Sequence, residues 1–435
     1  MNILQIISDT KELLSKTTDQ NDLYGTFFIP KQNGYREINA PCKELKILQK
    51  AFAQYITRFH AGKNRRKISH SSAHGFIKGK GIITNSAEHL ETLTNRVMHV
   101  NNAYKRGDTK TKIVITQLRK SLYAKPLQKN QRSVLVKFDI KNAFGSVKTT
   151  KVRQIIQHIF DATIDLDRDY ISYSDGISLK ELVAYEKEAV ETLTQLVTLN
   201  GSLPQGAPSS PVLLNISLFK FQYDVTRKLK EENILRRFCN PERVQKIVVS
   251  TYADDISISF LLLKDVIQIP QIKKCYIDKH KIACFIEREL KKHDFKLNLK
   301  KTMLFTKKRG FKITGITLSN SGLTVSRKIY ANLRATIYNY LKDTFKLNKE
   351  SKATTLEFER IEGMISHIAS VDIAKADRLI RYFVNKSKKV RIDYTLDNGE
   401  YGNTLLLENT ARLKELIQNV PYQDINTLSK LKVIR

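Results

Sequence analysis

The sequence has no tryptophan, and it has only four cysteines and four methionines in 435 residues. The cysteines lie at positions 42, 239, 275 and 284, without a CxxC pair or an accompanying pair of histidines. This spacing excludes the usual zinc-binding patterns and gives no sign of a disulfide framework. We therefore expect reduced cysteines, as in a cytoplasmic protein.

Long hydrophobic runs are also missing. No stretch of about 18 uncharged apolar residues occurs, so we expect no membrane span and no membrane partner. The first residues, MNILQIISDTKELL, lack a cationic leader followed by a long apolar run, which argues against a secretory signal. These observations favour a cytoplasmic location.

Acidic residues are scarce relative to basic ones, with 43 Asp and Glu against 75 Lys and Arg and a formal net charge of +32. Such a charge repels itself unless a polyanion offsets it, and nucleic acid is the first candidate. A basic membrane-surface protein would need an amphipathic anchor or a lipidation motif, and neither is visible. A soluble protein with no polyanionic partner stays open on charge alone.

What is present predicts an α+β fold, in which helices back an antiparallel sheet. Hairpins are predicted at 24–40, 246–262 and 311–325, the first of them around Asn33-Gly34. An apolar run at 134–140 predicts a buried strand, and the chain after 326 is helical in pattern and basic.

Three aspartates interrupt these apolar runs. Asp139 lies near the end of the predicted buried strand, and Asp254 and Asp255 stand side by side between two β-rich runs. A carboxylate in such a place is costly unless it is paired or bound to metal. A tight turn at Ala253-Asp254 would bring both carboxylates to one site, although an acidic hairpin turn is the ordinary interpretation of an isolated Asp-Asp pair.

Three segments together resemble the central palm motifs of reverse transcriptases: FDIKNAF (138–144), LPQGAPSSP (203–211) and YADD (252–255). The resemblance implies a right-hand polymerase fold and an RNA-directed DNA polymerase that adds deoxynucleotides to a primer. It also implies two Mg²⁺ ions, for which Mn²⁺ can substitute, held by Asp139, Asp254 and Asp255.

Further residues receive roles from the same resemblance. Phe144 would exclude a ribose 2′-hydroxyl, Gln205 and Gly206 would contact the templating pair and the incoming nucleotide, and Lys31 and Arg36 would bind its triphosphate. Lys301 would protonate the leaving pyrophosphate as a general acid. Taken singly, each has an ordinary structural alternative: a core aromatic, a Pro-Gly turn, or a solvated basic residue.

Two more segments, HGFIKGKGIITNSAEH (74–89) and FKITGITLS (311–319), are similar to regions of bacterial retron reverse transcriptases. Related prokaryotic enzymes that are linked to phage defence share the palm motifs. The chain is longer than the retron enzymes at about 90–131 and 145–200. A group II intron enzyme, a defence polymerase that works without a conventional template, and a catalytically silent nucleic-acid scaffold stay open.

The resemblance also implies a division of the chain: fingers at 1–132 with part of 145–200, palm at 133–318, and a helical thumb at 319–435. The expected partners are an RNA template, an RNA–DNA hybrid and deoxynucleoside triphosphates. A cognate non-coding RNA, a protein partner or a homo-oligomer is left open.

Overall fold

The structure is a computed structural model. It describes ten stretches of the chain: 2–31, 34–59, 69–94, 131–160, 179–263, 277–306, 310–319, 322–346, 352–394 and 408–416. The sequence indicates two extra segments, 90–131 and 145–200. Most of the first segment and residues 161–178 of the second lie outside the described residues. The chain divides into two compact units, the first comprising 1–81, 136–258 and 269–304, and the second 82–135, 259–268 and 305–435.

The helices are α1 (Ile3–Ser15), α2 (Lys43–Phe59), α3 (Ile82–Ala87), α4 (Leu90–Thr94), α5 (Ala143–Ser146), α6 (149–160), α7 (Leu179–Val197), α8 (Ser210–Lys228), α9 (Glu232–Leu235), α10 (Lys279–Lys291), α11 (Arg327–Lys346), α12 (Lys352–Val371), α13 (Ile373–Tyr394) and α14 (408–416). The strands are β1 (Tyr24–Lys31), β2 (Gly34–Pro41), β3 (Gln131–Lys141), β4 (Val244–Tyr252), β5 (Asp255–Leu263), β6 (Lys296–Leu297), β7 (Met303–Thr306), β8 (Phe311–Ile313), β9 (Ile316–Ser319) and β10 (Gly322–Thr324).

Strands β1 and β2 form the predicted N-terminal hairpin. They pair antiparallel from Tyr24 opposite Pro41 to Lys31 opposite Gly34. Gly34 has φ +95°, a left-handed conformation that glycine adopts without strain. Most side chains of β1 are exposed, so the hairpin is held at its Tyr24 end.

A five-stranded sheet contains the strands predicted around Asp139 and Asp254, in the order β4-β5-β3-β6, with β7 paired to β3. Strand β3 begins three residues before the predicted run at 134–140 and ends one residue after it. Val134, Val136 and Phe138 are almost fully buried, which explains why this strand is nearly continuous in hydrophobic residues. The mixture of helices with antiparallel strand pairs confirms the predicted α+β class.

The second unit contains a three-stranded sheet of order β10-β9-β8. The β9–β10 pair confirms the hairpin predicted at 311–325. Helices α11, α12 and α13 enclose a core in which the rings of Tyr340, Phe358 and Phe383 lie 5.9 to 6.3 Å apart. This packing confirms the helical character predicted after 326.

Membrane-spanning helices and the state of the cysteines can be described for the ten stretches given above. In the described stretches, no helix is long and apolar enough to cross a membrane. Cys42, Cys239 and Cys284 are free thiols, while Cys275 lies outside the described residues.

Helices α8 and α10 are joined by a buried carboxylate. Glu289 is 3% exposed and accepts hydrogen bonds from Lys228 Nζ (2.6 Å) and Lys292 Nζ (2.8 Å). Burial opposes its ionisation and is the largest single influence, but the two lysines together outweigh burial and lower the pKa of Glu289. The charged carboxylate therefore stabilises the α8–α10 contact at neutral pH.

We expect Glu289→Gln to destabilise the folded chain by about 1–3 kcal/mol, because the substitution leaves two lysines facing a neutral group. Since the pKa of Glu289 is lowered on folding, its contribution is full above the ordinary value of 4.5 and is lost as pH falls through the lowered pKa. Urea unfolding of both proteins across this pH range measures the difference.

The matched control is Glu191→Gln, which removes an exposed ion pair with Arg153 (2.6 Å) and should cost about 0–1 kcal/mol. Equal losses for the two variants at neutral pH would show that the buried carboxylate has no special role.

Candidate active site

The three aspartates lie on neighbouring strands. Asp139 is near the end of β3. Ala253 and Asp254 form the turn between β4 and β5, and Asp255 is the first residue of β5, the strand next to β3. The backbone N–H of Ile140 donates to the carbonyl oxygen of Asp254 at 2.9 Å. This hydrogen bond fixes the turn beside the end of β3.

The backbone of this turn has an unusual conformation, and the segment around Gly75 packs against it. Ala253 has φ +53°, which breaks the alternation of a regular strand, where adjacent side chains point to opposite faces. Gly75 packs directly on it, and a Cβ at Gly75 would lie 2.6 Å from the backbone nitrogen of Ala253. Just before this contact in both segments, His74 N donates to Thr251 O and Thr251 N donates to Ser72 O, both at 2.8 Å.

Burial and like charge disfavour the ionised aspartates. The pKa of Asp254 is raised, first by burial and then by the charges of Asp255 and Asp139. The pKa of Asp255 is also raised, mainly by burial, with Lys137 opposing the shift and Asp139 adding to it. A cation bound among these carboxylates would remove the repulsion.

Asp139 is held by a short segment that follows α10. Asn298 contacts it twice, through its backbone N–H to Asp139 O (2.8 Å) and through Nδ2 to Asp139 Oδ2 (3.0 Å). A single turn of 3-10 helix (Leu299–Lys301) then returns Lys301 Nζ to Asp139 Oδ1 at 2.8 Å. Both carboxylate oxygens therefore have partners, and Asp139 is 9% exposed.

Carboxylate oxygens are the ligands that Mg²⁺ prefers, so the chemistry of the three aspartates fits this ion. Within the described part of the chain, no three His, Cys, Asp or Glu side chains are already arranged to hold a metal ion. The Lys301 ammonium group neutralises the Asp139 oxygen that a metal would need. Because Lys301 is 61% exposed, its side chain is free to turn away.

The structure places Phe144 in a short helix after β3, and it places Gln205 and Gly206 in a turn before α8. Phe144 is half-buried in the short helix α5, which begins after Asn142 in a left-handed conformation (φ +46°). The carbonyl of Gln205 accepts from Asn39 N at 2.8 Å, so the Leu203–Gly206 turn packs on strand β2. Gly206 has φ +130°, and a Cβ there would lie 2.8 Å from the oxygen of Asn39.

Lys31 and Arg36 are exposed residues close to the β1–β2 turn. The contacts that connect Asp139, Asp254 and Lys301 do not extend to either of them in the described residues. The structure thus brings Lys301 together with the aspartates and leaves Lys31 and Arg36 on the hairpin.

Sequence reasoning missed Asn298 and Gly75. Asn298 begins the segment that ends in Lys300-Lys301-Thr302, but an asparagine after a strand is more often a simple turn residue. Gly75 belongs to the HGF segment, and its packing on Ala253 depends on two regions far apart in the chain. Only the positions of Asn298 and Gly75 next to other motifs in the sequence could have indicated their roles.

We expect Asn298→Ala to lower nucleotide incorporation by about 10- to 100-fold, because Asn298 orients Asp139, a carboxylate that we propose binds metal. The loss should shrink at high Mg²⁺ concentration, so steady-state rates are measured over a Mg²⁺ titration. Asn240→Ala is the control, since the Asn240 side chain only accepts from Glu242 N in a surface turn. A loss that is the same at every Mg²⁺ concentration would contradict the role in positioning Asp139.

An antiparallel sheet backed by helices, with one aspartate near the end of a strand and two at the adjacent hairpin turn, is typical of the right-hand polymerase fold. A sequence family described as reverse transcriptase (RNA-dependent DNA polymerase) matches residues 29–318, which is more than half of the chain. The chain therefore belongs to the reverse transcriptase family, and membership implies a divalent metal cofactor.

Its relatives include retron enzymes. The chain is 26% identical to the retron Ec86 reverse transcriptase of Escherichia coli over 207 residues, which is 48% of this chain and 53% of that protein. It is 23% identical to the retron Mx65 reverse transcriptase of Myxococcus xanthus, covering 82% of this chain and 64% of that protein. The chain thus spans between about half and two thirds of the length of these relatives.

Among solved structures, apo telomerase from Candida tropicalis aligns over 92% of this chain and 62% of its own, with a TM-score of 0.44 and 12% identity.

Proposed function

We propose that the chain is an RNA-directed DNA polymerase of the retron type, which extends a primer with deoxynucleotides on an RNA template. One observation carries the proposal: Asp139 lies near the end of β3, beside the β4–β5 hairpin turn at Asp254 and Asp255, in a chain that belongs to the reverse transcriptase family. Burial and like charge disfavour the charged forms of Asp254 and Asp255, and a cation-dependent reaction gives a reason for placing these carboxylates beside Asp139.

In this proposal, Asp139, Asp254 and Asp255 hold two Mg²⁺ ions. When bound, such ions favour ionisation of the primer 3′-hydroxyl and neutralise the triphosphate. Asn298 keeps Asp139 in one orientation during the exchange of its partners. Lys301 would move away from Asp139 Oδ1 and donate its proton to the departing pyrophosphate oxygen. An exposed lysine on a short turn is well placed for this role as a general acid.

The incoming nucleotide would be bound by residues of the hairpin and of the Leu203–Gly206 turn. Lys31 and Arg36 would contact the triphosphate, for which cationic side chains near a hairpin tip are suited. Gln205 and Gly206 would contact the base pair being formed, because Gly206 leaves its backbone accessible. Phe144 would lie against the sugar and exclude the 2′-hydroxyl.

The division into fingers (1–132 with part of 145–200), palm (133–318) and thumb (319–435) belongs to the same proposal. The net charge of +32 supports binding to an RNA template and to the RNA–DNA hybrid that copying produces. The retron names of the relatives favour a cognate non-coding RNA as the template and a role in phage defence.

Sequencing the nucleic acid that copurifies with the chain tests this biological assignment. We expect one abundant RNA together with DNA complementary to a defined part of it. DNA without a complement in any copurified RNA would instead support synthesis without a conventional template and would refute the retron assignment.

A further inference from the structure

Phe76 is an exposed aromatic residue beside the aspartate turn. Its side chain is 53% exposed, and its ring centroid lies 6.2 Å from that of Tyr252, the first residue of YADD, with the planes tilted by 39°. An exposed ring at this place is available to a ligand that binds beside the aspartate turn.

The backbone of Phe76 is in a conformation that bulky residues rarely adopt, with φ +56°. Its neighbours hold it there. Gly75 packs on Ala253, and the Gly75 carbonyl accepts from Nδ2 of the buried Asn215 at 2.8 Å. Local strain that the surroundings maintain is found most often at ligand-binding positions, and here it directs an aromatic ring to the surface next to Tyr252.

Two adjacent rings at the surface of a strongly basic chain suit a nucleic-acid base or sugar, because every base has a face on which an aromatic ring stacks. The position of the two rings indicates which nucleic-acid strand they would contact. Tyr252 is two residues before Asp254, where the proposed function brings the 3′-end of the primer. A nucleotide that stacks here is therefore one close to that end.

We propose that Phe76 and Tyr252 form a stacking site for a nucleotide near the 3′-terminus of the primer strand. The inference rests on the proposed function, since it takes the primer terminus to lie at Asp254 and Asp255. Phe76 is accordingly a primer-binding residue, and Gly75 and Asn215 position it.

The test uses an RNA template annealed to a DNA primer that carries 2-aminopurine at its 3′-terminal nucleotide, without deoxynucleotides. Affinity is measured by fluorescence anisotropy of an end-labelled primer, and stacking by quenching of the 2-aminopurine. We expect Phe76→Ala and Phe76→Gly to weaken primer binding by about 5- to 150-fold and to reduce the quenching. Phe76→Tyr should retain both.

A second readout separates binding from folding. Phe76→Gly removes the strain at φ +56°, so its thermal midpoint should equal or exceed that of the wild type while its primer affinity falls. A residue with a merely structural role would instead lower the midpoint and leave primer affinity unchanged. Tyr185→Ala, which removes an exposed ring packed on Lys11, is the control and should bind primer normally.

The two proposals fail in different ways. A wild-type chain that extends no primer contradicts the proposed function. A wild-type chain that extends primers, with Phe76→Ala and Phe76→Gly variants that bind them as tightly, overturns the stacking site. Variants that raise KM for deoxynucleotides at unchanged primer affinity assign the rings to the incoming nucleotide and refute the primer assignment.

Discussion

The combined substitution of Asp254→Asn and Asp255→Asn should reduce deoxynucleotide incorporation by at least about a thousandfold, because it removes two of the three carboxylates that we propose bind metal. The fold should be retained. Burial and like charge raise the pKa of both aspartates, so replacing them by neutral amides should leave thermal stability unchanged or raise it.

Incorporation is measured by primer extension with saturating Mg²⁺, and stability by thermal unfolding of the same samples. Asp294→Asn is the matched control, because Asp294 is an exposed aspartate with φ +65°, where asparagine is tolerated equally well. If the double variant retained Mg²⁺-dependent synthesis, the assignment of the site would be wrong.

Phe144→Ala should raise ribonucleotide incorporation relative to deoxynucleotide incorporation by about 5- to 150-fold. The estimate follows from the steric cost of forcing an extra group into a filled site, about 1–3 kcal/mol. The half-buried ring also packs under its neighbours, so both rates should show some general loss. The diagnostic quantity is the ratio of kcat/KM for matched ribo- and deoxynucleotides, since the ratio isolates differential transition-state binding.

Phe144→Tyr keeps the ring in place and serves as the control, with a ratio close to that of the wild type. A Phe144→Ala variant with an unchanged ratio and equally reduced rates would identify Phe144 as a packing residue.

The sequence predicted the elements that depend on local pattern. The hairpin at 24–40 has an Asn-Gly turn between β-rich runs, and strand β3 contains the mainly hydrophobic run 134–140 with Asp139 near its end. The aspartates themselves could be selected because charged residues inside apolar runs are costly. These inferences need only residues close together in the chain.

The residues that sequence reasoning missed act through contacts between distant segments. Gly75 is required because the backbone of Ala253 approaches it, and Asn298 matters because β6 pairs with β3 beside Asp139. Neither residue type is unusual in its own neighbourhood, so no local pattern distinguishes it. The left-handed conformation of Phe76 is likewise imposed by tertiary packing against the intrinsic preference of the residue.

The central claim is that this chain copies RNA into DNA at Asp139, Asp254 and Asp255. In the most direct test of this claim, the purified chain is supplied with Mg²⁺, all four deoxynucleotides and one DNA primer annealed to either of two RNA templates of different sequence. The extended primers are then sequenced. The account predicts that each product is complementary to its own template and is absent with the Asp254→Asn, Asp255→Asn variant. Identical or random extensions on the two templates, or no extension by the wild-type chain, would contradict it.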